Sequence, residues 1–597
     1  MMNTHKTPFF IAASILCATV TYAQNSTINP KVEVQRDYEG QIMEASKPKL
    51  PPVIPDSIGQ FNLTMGYSIF EKPYRDLYAF TPLPFVRLRP AGVSKHPWVL
   101  MRIGATYPLS PEGALWIQAP LDRASSLQFT AEHQSFWDRL PLVYQERKAV
   151  ADQSRSNMGL HYALNWDKGN FEIGGDFHRH RYTYFGVAPL LPSAFNPQKL
   201  NSRDFMRDSL SHLYNLYKVN MILSSPKTTK EGAIWEILLG WNMIEGETHL
   251  WQLSKAPARR ENLLTFQANA GVRFLEHHTA GLRVMGDFSN DITGTELDRG
   301  VISLNPYYQI NAKRFGVNAG IVMTDILNYQ EPNTSKRNKV FLYPKISASF
   351  QLIAQRLEVY ADLRGEGRLN SYQSLMAENP WIAPNLDLRS SHIPWIFQAG
   401  FKGKAGERMG LHLYGRYTLT KNQYYFVNTS YKQFVTDNPE AFIYLDNLFA
   451  LTYDTEEQLT VGAALSWESR AVCLKLRGDY HHYSLSTDTP AWHKPDVELS
   501  LTAHYQWRER ILATVSAAYR GSVSAAALPA LSARGYLYDG YSQIDGFADL
   551  GIMLEYRFAS WFGLYVEGKN LFNSDQQYYL LYREPGIRIG GGITIRF

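Results

Sequence analysis

The final eleven residues of the chain, 587-IRIGGGITIRF-597, alternate strictly between two kinds of side chain. The odd-numbered positions are apolar or small: Ile587, Ile589, Gly591, Ile593, Ile595 and Phe597. The even-numbered positions are small or polar: Arg588, Gly590, Gly592, Thr594 and Arg596. Successive side chains of a β-strand point to opposite faces, so this period of two predicts a strand with one apolar and one polar face.

The same alternation recurs from about Trp98 to the C-terminus, for example in segments 98–107, 315–325, 357–367 and 497–507. Alternation alone fits a soluble β-sandwich as well as a barrel embedded in lipid. The candidate strands run to about ten to fourteen residues, whereas soluble strands average about five or six. This is the length of a tilted strand that crosses a hydrocarbon layer, so strand length favours the barrel over the soluble sandwich.

Counting the candidate strands from Trp98 onward gives about 22 to 24, and barrels of this kind usually have an even number. We therefore predict an all-β fold, an antiparallel transmembrane β-barrel of about 22 strands. The count stays open between residues 420 and 458. There the segments 424–428 and 443–453 form either one extended hairpin or separate spans.

Composition and charge exclude several other classes of protein. With 45% hydrophobic and 19% charged residues the chain should fold. The longest apolar run, 9–20, is shorter than the roughly 20 residues of a membrane-spanning helix. The 60 basic and 55 acidic residues are scattered, which gives no support to nucleic-acid binding. The two cysteines, Cys17 and Cys473, predict neither a zinc site nor a disulfide in the mature chain.

The N-terminus is typical of an exported protein. Residues 1–23 combine a positive start at Lys6, an apolar core and small residues before a cleavage point after Ala23, which predicts a signal peptide. Residues 24–97 form a periplasmic or lumenal segment with a proline-rich linker, 47-KPKLPPVIP-55. The barrel is predicted over 98–597, and the predicted location is the outer membrane.

The C-terminal strand resembles the signal by which outer-membrane proteins are recognised for insertion, because it ends on an aromatic residue of its apolar face. The residues predicted to carry that signal are Ile593, Ile595 and Phe597. The resemblance implies two partners, the barrel-assembly machinery and the lipid of the outer membrane.

A second resemblance lies just before this strand. The stretches 566-VEGKNLFN-573 and 582-YREPGIR-588 resemble the closing hairpin of TonB-dependent receptors, with Ile587 inserted before the arginine. Weaker matches to short, plugless relatives are 490-PAWHKP-495 and 377-AENPW-381. The resemblance implies an outer-membrane barrel of about 22 strands that takes up a solute.

Full receptors of that family carry a folded plug and an energy-coupling box ahead of the barrel. Residues 24–97 are too few for such a plug, and 31–35 only faintly matches the box. A short strand or an extended leader is the favoured interpretation of 31–35. We therefore expect no plug, and coupling to TonB is doubtful.

Three common catalytic motifs are absent from the sequence. It has no phosphate-binding Gly-Lys-Ser/Thr loop, no Gly-x-Ser-x-Gly elbow and no His-Glu-x-x-His helix, so we predict no enzyme and no cofactor. A hydrolase would need a Ser/His/Asp group at one rim, which spacing does not exclude. His178 and His180 share a strand face and could bind a metal, but a water-filled lumen suits them better.

Four charged residues fall on the polar face of segment 357–367 and are the candidate lumen residues. They are Glu358, Asp362, Arg364 and Glu366. Such charges could line a solute path, or they could pair with one another and fill the barrel. The leading hypothesis is therefore uptake or passage of a small solute. The alternative is a sealed scaffold or binding barrel in a surface complex, for instance with a surface lipoprotein.

Overall fold

A computed structural model describes residues 98–597, except 144, 188–196, 227–230, 250–258, 292–298, 332–334, 385, 430–432, 436–437, 444–447 and 527–540, and it describes side chains outside 429–447. The predicted signal peptide and the predicted segment 24–97 lie outside the described residues, and both stay predictions. None of the described helices is long and apolar enough to cross a membrane.

Thirty strands follow one another along the described chain. The first fifteen are β1 Val99–Tyr107, β2 Ser110–Pro120, β3 Ser125–Phe136, β4 Arg139–Pro141, β5 Lys148–Val150, β6 Gln153–Trp166, β7 Gly169–Thr183, β8 Ser211–Ser224, β9 Gly232–His249, β10 Arg259–Phe274, β11 His278–Asp291, β12 Arg299–Asn311, β13 Phe315–Tyr329, β14 Arg337–Ile353 and β15 Leu357–Arg368. The others are β16 Ser391–Ala405, β17 Met409–Thr429, β18 Gln433–Val435, β19 Asn438–Ile443, β20 Leu448–Glu468, β21 Val472–Leu485, β22 Val497–Trp507, β23 Ile511–Arg520, β24 Val523–Ala526, β25 Tyr541–Ile544, β26 Phe547–Arg557, β27 Phe562–Lys569, β28 Gln577–Tyr579, β29 Tyr582–Arg583 and β30 Arg588–Arg596. Helix α1 spans Arg203–Ser209 after a 3₁₀ turn, Pro197–Asn201, and helix α2 spans Tyr372–Glu378.

Twenty-two of these strands form one closed antiparallel sheet, which confirms the predicted barrel and its strand number. The sheet closes where β30 pairs with β1, with Arg102 opposite Thr594. The other eight strands form four two-stranded hairpins in the loops: β4–β5, β18–β19, β24–β25 and β28–β29.

The alternation of the sequence sorts the side chains between lipid and lumen. On β1, Ile103 and Tyr107 are 50% and 83% exposed on the outer surface, while Arg102 and Thr106 are buried on the inner one. On β14, Leu342, Ile346 and Phe350 face outward in the same way. A closed sheet with an apolar exterior satisfies its backbone hydrogen bonds internally, as a lipid-embedded protein must. The fold is therefore that of an outer-membrane barrel.

The two ends of the barrel differ in their connections. At one end the strands are joined by short turns such as 167–168 and 508–510, and the C-terminal Phe597 pairs there with Val99. At the other end lie long segments, including 184–210 and 369–390. In outer-membrane barrels short turns face the periplasm, so the long loops lie at the extracellular end.

The region that left the strand count open is one extended hairpin. β17 and β20 each have 21 residues and pair with each other from Met409–Trp467 to Thr429–Leu448. The register shifts between Thr420 and Gln423, which marks a bulge. Both strands therefore rise beyond the length that a membrane requires.

The seam between the last and first strands contains a buried ion cluster. The carboxylate of Glu555 on β26 lies 2.6 Å from Arg596, 3.4 Å from Arg557 and 3.6 Å from Arg102, and its side chain has no exposed surface. This one anion links β1, β26 and β30 across the closure of the barrel.

Candidate functional site

Four extracellular loops, 137–152, 184–210, 369–390 and 570–587, pack together above the lumen, and we call them the loop cap. Buried apolar side chains from all four loops join in one cluster: Leu140, Leu142, Phe185, Leu200, Met206, Leu375, Trp381 and Tyr582. Several are fully buried, as in the core of a soluble domain. The cap is therefore a packed structure.

Segment 369–390, here the lid loop, contains helix α2 and is fixed to the barrel wall by charged groups. Arg299 on β12 donates a hydrogen bond of 2.6 Å to the carbonyl of Asn370 and lies 3.3 Å from the carboxylate of Glu261. Glu261 in turn accepts a hydrogen bond of 3.0 Å from the backbone N–H of Gln373. Ser371 caps the first turn of α2 through the N–H of Ser374.

Arg259 on β10 holds the other end of the lid loop. It donates a hydrogen bond of 2.9 Å to the carbonyl of Pro384 and lies 3.3 Å from the carboxylate of Asp291. Its guanidinium also stands 4.7 Å from the ring centre of Tyr372. Because these groups are buried, losing one partner would leave an uncompensated charge.

Aromatic contacts connect the lid loop to the loop before the last strand. Trp381 stacks on Tyr582 with ring centres 3.9 Å apart, and Phe185 meets Tyr582 edge to face at 5.1 Å. Tyr579 donates a hydrogen bond of 2.9 Å to the carbonyl of Glu378, and Tyr424 donates one of 2.5 Å to its carboxylate. The weak family match 377–381 thus lies at the centre of the cap.

His493 belongs to the second weak match, 490–495, and connects its own loop to β17, to β23 and to the loop before the last strand. Its Nδ1 lies 3.1 Å from the carbonyl of Phe426, and its Nε2 accepts a hydrogen bond of 3.3 Å from the N–H of Leu580. Arg520 donates a hydrogen bond of 2.6 Å to its carbonyl. Burial, with a smaller contribution from the nearby Arg520, lowers the pKa of His493 to about 3, so the ring is neutral.

This pKa predicts that the loops around His493 loosen in acid. A histidine whose folded-state pKa is depressed contributes fully above its ordinary value of about 6.5, and that contribution is lost as the pH falls toward 3. The protection factors of the amides in 486–496, which are exchange rates corrected for the intrinsic effect of pH, should therefore fall between about pH 7 and pH 5. His493→Gln should remove this fall, and an unchanged fall in that variant would contradict the assignment.

Beneath the cap, the lumen holds a cavity of about 500 Å³. Lumen-facing residues of β3, β6, β7 and β8 form one wall, and loop and strand-end residues such as Tyr425, His493 and Tyr578 form the other. Met376 and Trp381 of the lid loop line it as well. Aromatic rings beside dispersed polar groups are typical of sites that bind small molecules.

The pair His178 and His180 lies on the first wall. Asn157 Oδ1 is 2.9 Å from Nδ1 of His178 and 3.2 Å from Nε2 of His180, and Tyr214 bonds Nδ1 of His180 at 2.5 Å. Three of the four imidazole nitrogens of this pair therefore lie within hydrogen-bond distance of an uncharged side chain. Within the described ranges no three His, Cys, Asp or Glu side chains cluster closely enough to hold a metal ion.

The candidate lumen residues lie on β15, away from the cavity. Glu358 is 3.8 Å from Lys402, Glu366 is 3.0 Å from Arg368, and Asp362 is buried. Arg364 faces Lys345 across the β14–β15 pair. Their role in a solute path stays a prediction.

The predicted insertion residues lie on the closing strand. Phe597 is 68% exposed, and Ile593 and Ile595 are half-buried on the face opposite the buried Thr594. Their role as an insertion signal stays a prediction. Among the residues of the cavity and cap, only the pair His178 and His180, the closing-hairpin stretch 582–588 and the weak matches 377–381 and 490–495 carry a signal in the sequence. The others come from loops and strand ends that only the closed barrel brings together.

No protein-family model and no curated protein matches the chain. Solved structures do match its fold. They include the siderophore receptor PirA from Acinetobacter baumannii, with a TM-score of 0.62 at 10% identity, covering 85% of this chain and 81% of PirA. The ferric-catecholate import receptor Fiu from E. coli K12 matches with a TM-score of 0.57 at 11% identity, over 84% of this chain and 82% of Fiu.

The copper transporter OprC gives a TM-score of 0.57 at 11% identity, over 84% of this chain and 80% of OprC. At such identities the likeness concerns the fold alone. The resemblance to TonB-dependent receptors proposed from the closing hairpin is confirmed at that level, and the chain is a 22-stranded outer-membrane barrel similar to those of import receptors.

Proposed function

We propose that this chain is an outer-membrane uptake barrel in which a small solute occupies the cavity beneath the loop cap on its way through the lumen. The cavity carries the proposal, because it combines aromatic and polar lining at the point where the lumen meets the cap. Its volume of about 500 Å³ is in the range of pockets for small molecules. Barrels of the same fold include import receptors for iron chelates and a copper transporter.

The loop cap acts in this proposal as a gate. Its aromatic joint at Trp381 and its charged anchors at Arg259 and Arg299 hold the lid loop over the cavity. Passage requires those contacts to open. The charges Glu358, Asp362, Arg364 and Glu366 are proposed to line the β15 side of the path. No step driven by TonB is included.

The permeability of liposomes tests this function. Vesicles containing the purified chain should resist solutes of graded size, and Arg299→Met, which removes a lid-loop anchor, should admit solutes below a size limit. Adding Ala377→Trp, which places a large ring in the cavity lining, should reduce that passage again. Equal permeability with and without Ala377→Trp would contradict a route through the cavity.

A sealed scaffold is the second candidate, and the depth of packing in the cap favours it. Tyr184, Leu200 and Phe449 are fully buried there, so the loops form a core instead of an open vestibule. A scaffold would stay impermeable in the Arg299→Met variant, also after removal of residues 24–97, while the barrel remained folded. The same vesicles therefore distinguish the two functions.

A further inference from the structure

We propose that the cavity wall formed by β6, β7 and β8 binds an oxyanion, a carboxylate or phosphate group of the solute, between Arg155 and Lys218. This inference names the ligand chemistry of the proposed uptake site and rests on that function for its biological role. Arg155 on β6 lies directly opposite His180 on β7, and His180 lies opposite Tyr214 on β8. Lys218 is also on β8, two lumen-facing positions after Tyr214. Both cations line the cavity.

The two cations have no anionic partner in direct contact within the described chain. Neither Arg155 nor Lys218 makes a hydrogen bond or an ion pair within 4.0 Å with any described residue. Asp176, directly opposite Lys218, acts on it electrostatically but is hydrogen-bonded to His161 at 3.0 Å. Lys569, another lumenal cation, is matched by Glu112 at 3.0 Å. Half-buried cations without counter-ions are costly, so this wall favours an anion.

The carboxylates of the same cavity do not supply the missing partner. Glu378 accepts the hydrogen bond of Tyr424, and Glu498 lies 3.6 Å from Nε2 of His481. Glu584 is near enough for Arg588 and Arg155 to lower its pKa, but burial has the larger effect and raises it. Within the described ranges Glu584 forms no ion pair within 4.0 Å, so it is not in direct contact with Arg155.

The wall between the cations is held in place before any ligand arrives. Asn157 bonds both imidazoles, and Tyr214 bonds His180 from the next strand. Neighbouring strands fix these groups, so binding orders few side chains. An arginine fork suits the paired oxygens of a carboxylate or a phosphate.

The rest of the cavity suggests what accompanies the oxyanion. Trp381, Phe426 and Tyr579 line it and pack against one another or their neighbours, which offers ring faces to an apolar or cyclic part of the ligand. A small organic acid with a ring can contact both the basic wall and the aromatic side chains. A phosphate can contact the basic wall alone.

Equilibrium dialysis of the purified full chain tests the site, with labelled benzoate and inorganic phosphate as probes and benzyl alcohol as the uncharged counterpart of benzoate. The same measurements in Arg299→Met, which loosens the lid loop from outside the cavity lining, exclude restricted access through the cap. We expect saturable binding of at least one oxyanion, weakened about tenfold or more in Arg155→Gln/Lys218→Met. Preference for benzoate would identify an organic acid, and preference for phosphate a phosphorylated ligand.

Arg283→Gln is the matched control, because Arg283 faces the lumen over Tyr307 outside the cavity and its loss should leave the affinity unchanged. Unchanged oxyanion affinity in the double variant would overturn the site, as would absence of saturable binding in both the native chain and Arg299→Met. Either result would leave the uptake function standing if neutral solutes still cross Arg299→Met vesicles through the cavity.

Discussion

Replacing Glu555 by glutamine is expected to destabilise the closed barrel by about 3–5 kcal/mol. The substitution keeps the shape of the side chain and removes the carboxylate that lies within 4.0 Å of Arg102, Arg557 and Arg596. Three buried or half-buried cations would then repel one another at the seam between β30 and β1. Removing one partner of a buried ion cluster costs more than the cluster contributes, because the remaining charge stays desolvated.

The measurement is the temperature at which the folded barrel converts to the slower unfolded band on a denaturing gel. Glu555→Gln should convert at a clearly lower temperature than the native chain. Glu468→Gln serves as control, since Glu468 is exposed at the end of β20 and its loss should leave the temperature unchanged. Equal conversion temperatures for Glu555→Gln and the control would show that the cluster does not hold the seam.

Replacing Trp381 by alanine is expected to destabilise the closed cap by about 3–5 kcal/mol, the range for deleting a large buried aromatic side chain. Its ring is 5% exposed and stacks on Tyr582, and Phe185 packs against it edge to face at 6.3 Å. The hydrogen bonds of Tyr579 and Tyr424 to Glu378 fix the neighbouring segments, so we expect little collapse into the space. The lid loop should therefore detach while the barrel stays intact.

Limited proteolysis checks this expectation, with cleavage within 369–390 as the readout. Trp381→Ala should be cut there much faster than the native chain, with an unchanged barrel band. Trp561→Ala is the control, because Trp561 is 52% exposed in the turn after β26, at the opposite end of the barrel. Equal cleavage of both variants would mean that the aromatic joint does not hold the lid loop.

The barrel could be predicted from the sequence because a period of two is a local property. The alternation in β1 and β30 already separates Ile103 and Ile589 from Arg102 and Thr594, and the closed structure keeps that division. The extended hairpin of β17 and β20 could not be decided in the same way. Its strands are longer than a membrane crossing requires, and a bulge near Thr420 interrupts the alternation of apolar and polar residues.

The cavity and the cap could not be predicted, because they are products of long-range closure. Tyr182 and Met376 touch although they are 194 positions apart, and Tyr579 reaches Glu378 over 201 positions. Charge patterning pointed to β15, whereas the unpaired cations lie on β6 and β8. A cation without a counter-ion is recognised only when its neighbours on adjacent strands are known.

Single-channel conductance in planar bilayers tests most directly the claim that the loop cap closes a passage through the barrel. The native chain and Trp381→Ala would be compared, each with and without residues 24–97, after a gel has shown that every barrel is folded. The account predicts a silent native chain and stable openings in Trp381→Ala, at the latest once 24–97 is removed. Silence in folded Trp381→Ala lacking 24–97 would contradict it and favour the scaffold, and large constant openings in the native chain would contradict the gate.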